Sequence, residues 1–248
     1  ISVTRSAVYY VLKCLLPPDV PPNHGCYQSV TVFAPVGSLL NPISPAAVSS
    51  GNVETSQRIV DVLLLALNDL LPGKVPAQAQ GTMNNLSIGW KRKTYYETLG
   101  GGMGAGADNA GASAVQVHMT NTANTPTEVL EATYPLRIVR TSLREGSGGP
   151  GRNPGGMGIT KEILFLRPAE VSIQSERRKY PPRGAAGGKA AQCGVNILRS
   201  ADGYEQILPG RLTLRVNKGD ILLIHTPGGG GWGAQSQAED GNNYAGKV

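Results

Sequence analysis

The spacing of apolar positions divides the chain into a helical opening and a longer, strand-rich remainder. From Thr4 onward, Val8, Leu12 and Leu15 fall at helical intervals, with Thr4 as the expected N-cap and Pro17-Pro18 as the stop. Val30-Thr31-Val32-Phe33 reads as a short strand closed by Pro35 and Gly37. The clearest helix covers about 52–71. Asn52 can cap it, Glu54 falls in the first turn where the helix dipole favours an acid, and Pro72-Gly73 ends it. Ile59, Val60, Leu63, Leu64, Leu67, Leu70 and Leu71 form its apolar face. Val62 and Leu65 widen that face, so burial on more than one side is expected.

Beyond residue 77 the period shortens. Strands are expected at 94–99, 114–120, 136–143, 160–166, 169–175, 193–199, 211–216 and 221–226. Leu212, Leu214 and Val216 show the alternation of a half-buried strand. Only 127–133 reads as helix in this region. Two N-terminal helices followed by a Gly-rich, mainly antiparallel β region make an α+β fold. The expected division is an α+β part at 1–160, a β-rich part at 161–233 and a disordered polar tail at 234–248. The chain opens without a start Met and within a helical pattern, as a cleaved or truncated piece would.

Composition narrows the class. Gly (33) and Pro (18) make up about a fifth of the 248 residues. That share lies just below the level of low-complexity disorder. No apolar run approaches the ~18 residues of a membrane span, and no basic-then-apolar leader is present. A turn-rich, soluble, non-membrane, cytoplasmic chain is expected.

Charge is uneven. The formal net charge is +6. Residues 135–189 carry 11 Lys/Arg and 4 Asp/Glu, so the rest of the chain is almost neutral. Such a segment suits a solvated face, a subunit interface or a phosphate-bearing ligand. It lacks the interleaved aromatics of a nucleic-acid platform, and no nucleic-acid partner is expected. Cys14, Cys26 and Cys193 are odd in number and form no CxxC, so neither a disulfide framework nor a zinc site is indicated.

Three glycine clusters stand out: 100–106, 146–156 and 227–233. None is a dinucleotide fingerprint or a P-loop, because neither a following helix nor a Gly-Lys-Ser/Thr closes them. They serve either close packing or the lining of a site. Between the first two lies the densest polar stretch, with Gln116, His118, Thr120, Asn121, Glu128 and Glu131. On a strand, Gln116, His118 and Thr120 would share one face. On a helix, Glu128 and Glu131 would share another. His118 is a general-base or ligand candidate, or a structural histidine. His225 lies at a strand end before the third cluster.

Taken in order, these pieces resemble the hydantoinase B/oxoprolinase family. The C-terminal signature is Gly219-Asp220, an apolar run, then Thr226-Pro227-Gly228-Gly229-Gly230-Gly231-Trp232-Gly233. The central stretch is Gly101-Gly102-Met103-Gly104-Ala105-Gly106, His118-Met119-Thr120-Asn121-Thr122, Glu128, Glu131 and Tyr134-Pro135. Ser147-Gly148-Gly149 and Gly155-Gly156-Met157-Gly158 follow in order. Upstream, Asn23-His24-Gly25-Cys26 and 51–58 are similar too. Two departures are Asn153-Pro154 in the loop that usually reads Gly-Arg-aromatic-Arg-Gly-Gly, and Trp232 where Tyr is common.

The resemblance implies the C-terminal half of a B-type polypeptide. The family's metal ligands then lie in the other half, and none is carried over here. It implies an A-type, ATP-binding partner, with ATP and a divalent metal in the full assembly and neither held by this chain alone. The implied reaction is the opening of a phosphorylated lactam or hydantoin ring. The alternatives are a ketone carboxylase component and a non-catalytic structural module. Tyr95-Tyr96-Glu97-Thr98 and Gln174-Ser175-Glu176-Arg177-Arg178 look closest to the oxoprolinase branch. His118, Asn121 and Glu131 are the expected catalytic groups. Gly102, Gly104, Gly106, Thr120 and Arg152 are the expected substrate contacts.

Overall fold

A computed structural model describes residues 1–235. The first helix, α1 (Ser2–Leu15), buries Thr4, Ala7 and Val11. Thr4 lies within the helix rather than capping it, and its hydroxyl donates to the Leu40 carbonyl at 2.9 Å. The buried stripe is therefore rotated away from the one marked by Val8, Leu12 and Leu15. Small Ala7 allows the second helix to approach, and helix–helix distance follows the side chains at the contact.

That second helix, α2 (Ser56–Leu67), is shorter than its apolar pattern. A wider π-type turn, Gly51–Thr55, precedes it, and Asn52 makes no side-chain cap. Val60 and Leu64 pack against Ala7, Val11 and Val75 in a small core. Gln57 and Asp61 are also buried, whereas Val62 (55%), Leu65 (37%) and Leu70 (74%) face outward. The apolar pattern thus overstates the burial of this helix. Polar side chains with fixed partners displace part of its leucine face from the interior.

Among the described residues nine strands form two antiparallel sheets. The first runs β2 (Lys93–Thr98), β1 (Asn85–Trp90), β5 (Ala169–Gln174), β8 (Arg211–Val216). The second runs β3 (Leu136–Arg144), β4 (Gly158–Phe165), β9 (Ile221–His225), β6 (Val195–Arg199), β7 (Glu205–Leu208). Period-2 alternation places Leu86, Ile88, Val171 and Ile173 of one sheet against Ile163, Phe165, Leu222 and Ile224 of the other. Leu130 of α3 (Thr127–Thr133) closes one side of this core.

The sandwich confirms an α+β chain with antiparallel sheets. It also corrects several local expectations. Residues 114–120 form no strand; only Val115 bridges to Gly101. Residues 30–33 are irregular, and Phe33 is 85% exposed. The strands β1 and β7 were not expected. β1 does alternate, with Leu86, Ile88 and Trp90 on the core face and Asn85, Ser87 and Gly89 on the other, a signal the sequence reading passed over; β7 is only four residues at a sheet edge. Residue 160 lies inside β4, and each sheet takes strands from both sides of it. The expected tail lies outside the described residues from 236 onward.

Beside the sandwich sits a second compact body with almost no side chains. Segments 77–80, 101–106, 147–156, 182–192 and 227–233 run against one another and exchange backbone hydrogen bonds. Ala105 donates to Gly230, Gly230 to Gln78, Gly149 to Gly229 and Gly229 to Gly156. Along 228–231 the neighbour changes at every residue. A Cβ on Gly228 would lie 2.0 Å from Ser147 O, on Gly229 1.9 Å from Met103 O, and on Gly230 2.1 Å from Arg183 O. On Gly231 it would return to the first neighbour, 2.2 Å from Pro150 O. That three-residue repeat is the period of an extended polyproline-type strand, which has no internal hydrogen bonds and admits only Gly where it is crowded.

Candidate functional site

The polar interior lies where α2, the 77–85 segment and the turn after β5 meet. Asp61 is fully inside, with its side chain 0% exposed. Its Oδ2 accepts from Arg177 Nη2 at 2.6 Å, and Arg58 approaches the same oxygen at 3.6 Å. Arg177 also donates to the Pro181 carbonyl and to Gln78 Oε1. Its backbone is left-handed (φ 59°), which strains a non-glycine residue by about 1–2 kcal/mol. Gly81 makes room for the pair: a Cβ there would lie 2.3 Å from Asp61 Oδ2. Burial pushes the Asp61 carboxyl up, but His118 and Arg177 outweigh it and hold the group below the usual carboxylate range.

His118 is on the other side of Asp61. Its Nε2 is 3.7 Å from Asp61 Oδ1, an ion-pair approach rather than a hydrogen bond. Its Nδ1 is 3.4 Å from the Tyr10 hydroxyl of α1, and the Tyr10 ring meets the imidazole edge-on. His118 also has a left-handed backbone (φ 58°). The turn at 118–119 thus fastens the polar 118–125 loop to both helices, with Met119 packed on the helical core.

A second acid, Glu54, is 1% exposed on the π-type turn. Its Oε1 accepts from the Thr82 hydroxyl (3.1 Å), the Met83 amide (3.2 Å) and Asn85 Nδ2 (2.8 Å). Its Oε2 is buried without a partner. Burial is the dominant influence and pushes the carboxyl up to about 7, against the Thr82 and Met83 hydrogen bonds that lower it. Asn85 in turn accepts from the Tyr96 hydroxyl at 2.6 Å. Tyr96, Asn85, Ser87, Ser172 and Gln174 line a cavity of about 310 Å³ on the outer face of the first sheet. A continuous hydrogen-bonded path therefore runs from that cavity through Asn85 to the buried acid. The Asn85 amide passes no proton, so this path fixes the Glu54 carboxyl in place rather than exchanging its proton with the cavity.

The expected site residues are scattered over this framework. Asn121 is exposed, and the Thr120 hydroxyl meets that of Thr122 at 3.3 Å. Glu131 accepts the Ile138 amide at 2.7 Å, beside the bulge in β3, so it fixes the strand entry. Among the described residues no hydrogen bond joins any two of His118, Asn121 and Glu131. Gly102 donates to Pro227 and accepts from Gln80, which commits both of its backbone groups inside the glycine body. A Cβ on Gly104 would lie 1.9 Å from Ala77 O, and the Gly106 amide is taken by Asn109. The amides of Gly102 and Gly106 are thus taken by main-chain partners, and Gly104 is packed against Ala77. Arg152 donates to Ala107 O and lies over the Trp232 ring at 5.0 Å.

Sequence reading missed Glu54, Asp61 and Asn85 as a set. The usable signal was a buried-helix pattern carrying Glu, Gln and Asp on its inner face, at positions 54, 57 and 61. Among the described residues no three His, Cys, Asp or Glu side chains come together as a metal site.

Comparison with known proteins agrees with this architecture. The family model "Hydantoinase B/oxoprolinase" matches residues 1–235. The chain is 48% identical to 5-oxoprolinase 1 of Arabidopsis thaliana over 94% of its own length and 18% of that protein. It is 42% identical to a 5-oxoprolinase of Dictyostelium discoideum, again over 94% of its own length and 18% of that protein. Its fold superposes on the ATP-dependent caprolactamase from Pseudomonas jessenii with a TM-score of 0.81 at 28% identity, covering 93% of this chain and 43% of that one. The chain thus spans less than half of each of these relatives. With a family match running across both the helical pair and the glycine body, the chain belongs to the hydantoinase B/oxoprolinase family.

Proposed function

We propose that this chain is the C-terminal portion of an ATP-dependent cyclic-amide hydrolase of the 5-oxoprolinase or hydantoinase B type. The observation that carries this reading is the 48% identity to a 5-oxoprolinase, sustained over 94% of the chain. The chemistry is coherent. A lactam carbonyl is a poor electrophile. Transfer of a phosphoryl group from ATP to its oxygen, by an A-type partner, creates a leaving group. Water then adds to the ring carbon, the C–N bond opens as the nitrogen takes a proton, and the acyl phosphate so formed is hydrolysed by a second water, which releases inorganic phosphate and leaves the carboxylate. ATP and a divalent metal belong, in this reading, to other parts of the assembly.

Within that reaction the chain's residues have distinct tasks. In this reading His118, held between Tyr10 and Asp61, anchors the 118–122 loop, and the loop offers Thr120 and the exposed Asn121 to the reaction centre. Glu131 fixes the entry to β3 through the Ile138 amide. Exposed apolar side chains on 30–48, with Phe33 at 85% and Leu39 at 83%, support a covering partner. We assign that face to the remainder of the B-type polypeptide.

The test is ADP formation by the native complex, offered 5-oxoproline, hydantoins, and ketone plus bicarbonate in parallel. Stimulation by a cyclic amide with ring-opened product is expected. Stimulation only by ketone plus bicarbonate would move the chain to the carboxylase branch. His118→Ala and Glu131→Gln, made separately, are expected to lower turnover with assembly intact. Unchanged turnover in both would refute the site roles.

A further inference from the structure

Charge is strongly unbalanced around a cavity of about 380 Å³ between the start of α2 and the turn that follows β5. Arg58, Arg177, Arg178, Lys179 and Arg211 line it, with Glu176 as the single acid of the lining. Two of these cations are already matched. Arg177 is paired with Asp61, and Arg211 with Glu176. Three are not. Arg58 reaches Asp61 only at 3.6 Å, on the oxygen that Arg177 already holds, and its Nη1 is buried without a hydrogen bond. Lys179 is exposed and lies over the Tyr180 ring at 5.4 Å.

Arg178 is the unusual member. Its Nη1 donates to Asn84 Oδ1 (2.8 Å) and to the Glu176 carbonyl, and its Nη2 donates to Asn196 Oδ1 (2.7 Å). All of these are neutral acceptors. Its Nε is buried without a partner. Among the described residues no carboxylate comes within ion-pair distance of it. The guanidinium cannot retreat, because it lies against Gly194, where a Cβ would come within 2.7 Å of Nη1. Desolvation lowers its pKa to about 10, so it stays charged at neutral pH. A buried cation held only by amides leaves unspent attraction for an anion.

We propose that this cavity is a binding site for a small oxyanion of the phosphate class. The five cations of the lining share two carboxylates, Asp61 and Glu176, which leaves an excess of three positive charges; that exceeds the charge of one carboxylate, and a phosphate dianion neutralises most of it. Arginine forks suit the several oxygens of a phosphoryl group, and Lys179 adds a mobile point charge at the rim. The Arg177 backbone turns consecutive side chains apart, one to Asp61 and the next to the cage of Asn84 and Asn196. Strain of this kind is retained where a site must be held open. The assignment is independent of ring opening, so it stands or falls on binding rather than turnover.

The experiment is titration of the full chain with inorganic phosphate at low ionic strength, followed by phosphorus NMR line width and by calorimetry. Saturable binding that weakens with added salt is expected. The double variant Arg58→Gln/Lys179→Gln, at the cavity rim, is expected to weaken it at least tenfold with an unchanged melting curve. Arg178→Lys keeps the charge but loses the fork, and an intermediate loss is expected. Absence of saturable binding, equal affinity in the rim variant, or equal affinity for acetate would each overturn the proposal.

Discussion

The β-sandwich and the glycine body are both densely packed, but they exclude water with different atoms. The sandwich does so with side chains. Phe165, Ile163, Leu86 and Leu222 are at 0% exposure, and the backbone hydrogen bonds lie within the sheets. The glycine body does so with main chain. Its segments approach until carbonyl oxygens occupy the places where side chains would begin. Burial of apolar area stabilises the first. Satisfied backbone donors and acceptors, with little side-chain entropy to lose, stabilise the second. The two bodies should therefore answer opposite mutations: the sandwich resists loss of volume poorly, and the glycine body cannot accept a gain.

The sharpest test sets one methyl group against a whole ring. Gly155→Ala would place a Cβ 1.8 Å from Gly229 O, and 2.7 Å from Gly230 O. Backbone must shift, so a loss above about 3 kcal/mol is expected, at the upper end for overpacking. Phe165→Ala is expected to cost about 3–5 kcal/mol through cavity formation. Denaturant unfolding of both variants measures the comparison. If Gly155→Ala melts like the parent, the main-chain packing account is wrong.

Two buried ion pairs offer a second contrast, one beneath α2 and one in the sandwich. Asp61→Asn would leave Arg177 charged and buried, at an expected cost of about 3–5 kcal/mol. In the sandwich, Lys161 and Glu97 form the corresponding pair, both nearly closed to solvent. The double replacement Lys161→Met/Glu97→Leu is expected to be close to neutral, since apolar neighbours can fill that space. A similar large loss from both changes would mean that the two regions treat charge alike.

Acid–base behaviour gives a third, smaller effect. Glu54 has its carboxyl raised to about 7 from 4.5 by burial. Between those values the folded state holds a proton that the unfolded chain releases. Stability from this group is therefore present below about pH 4.5 and lost as pH rises to about 7, by roughly 2–4 kcal/mol. Asp61 has the opposite sign: its lowered pKa gives stability above its ordinary value that disappears under stronger acid. Glu54→Gln is expected to flatten the profile between pH 4.5 and 7. A slope unchanged by the substitution would show that Glu54 is not its source.

The smallest effect separates conformation from crowding. Nothing lies within 4 Å of a Cβ on Gly146 or Gly51, but Gly146 has φ +68°. Gly146→Ala is expected to cost about 1 kcal/mol. Gly51→Ala is expected to be neutral or stabilising by up to about 1 kcal/mol. Thermal melts that rank these two in reverse would show that backbone freedom does not govern the exposed glycines.

Much of this chain was determined by sequence alone. Alternation and turn residues located seven of the nine strands, and helical spacing located all three α-helices, because those periods are local consequences of backbone geometry. The ordered glycine motifs identified the family. Two further matters were left to tertiary structure. Whether a glycine cluster binds or packs depends on what stands opposite it, and Met103, Gly156 and Gly229 lie far apart in the chain. Which polar residues form a site depends on burial: Glu54 in its wide turn and Asp61 on the helix face gained their roles only when Asn85 and Arg177 arrived from distant strands and turns. Local sequence reports period and conformation. Desolvation and charge pairing are properties of the assembled fold, and they decided where this molecule keeps its reactive groups.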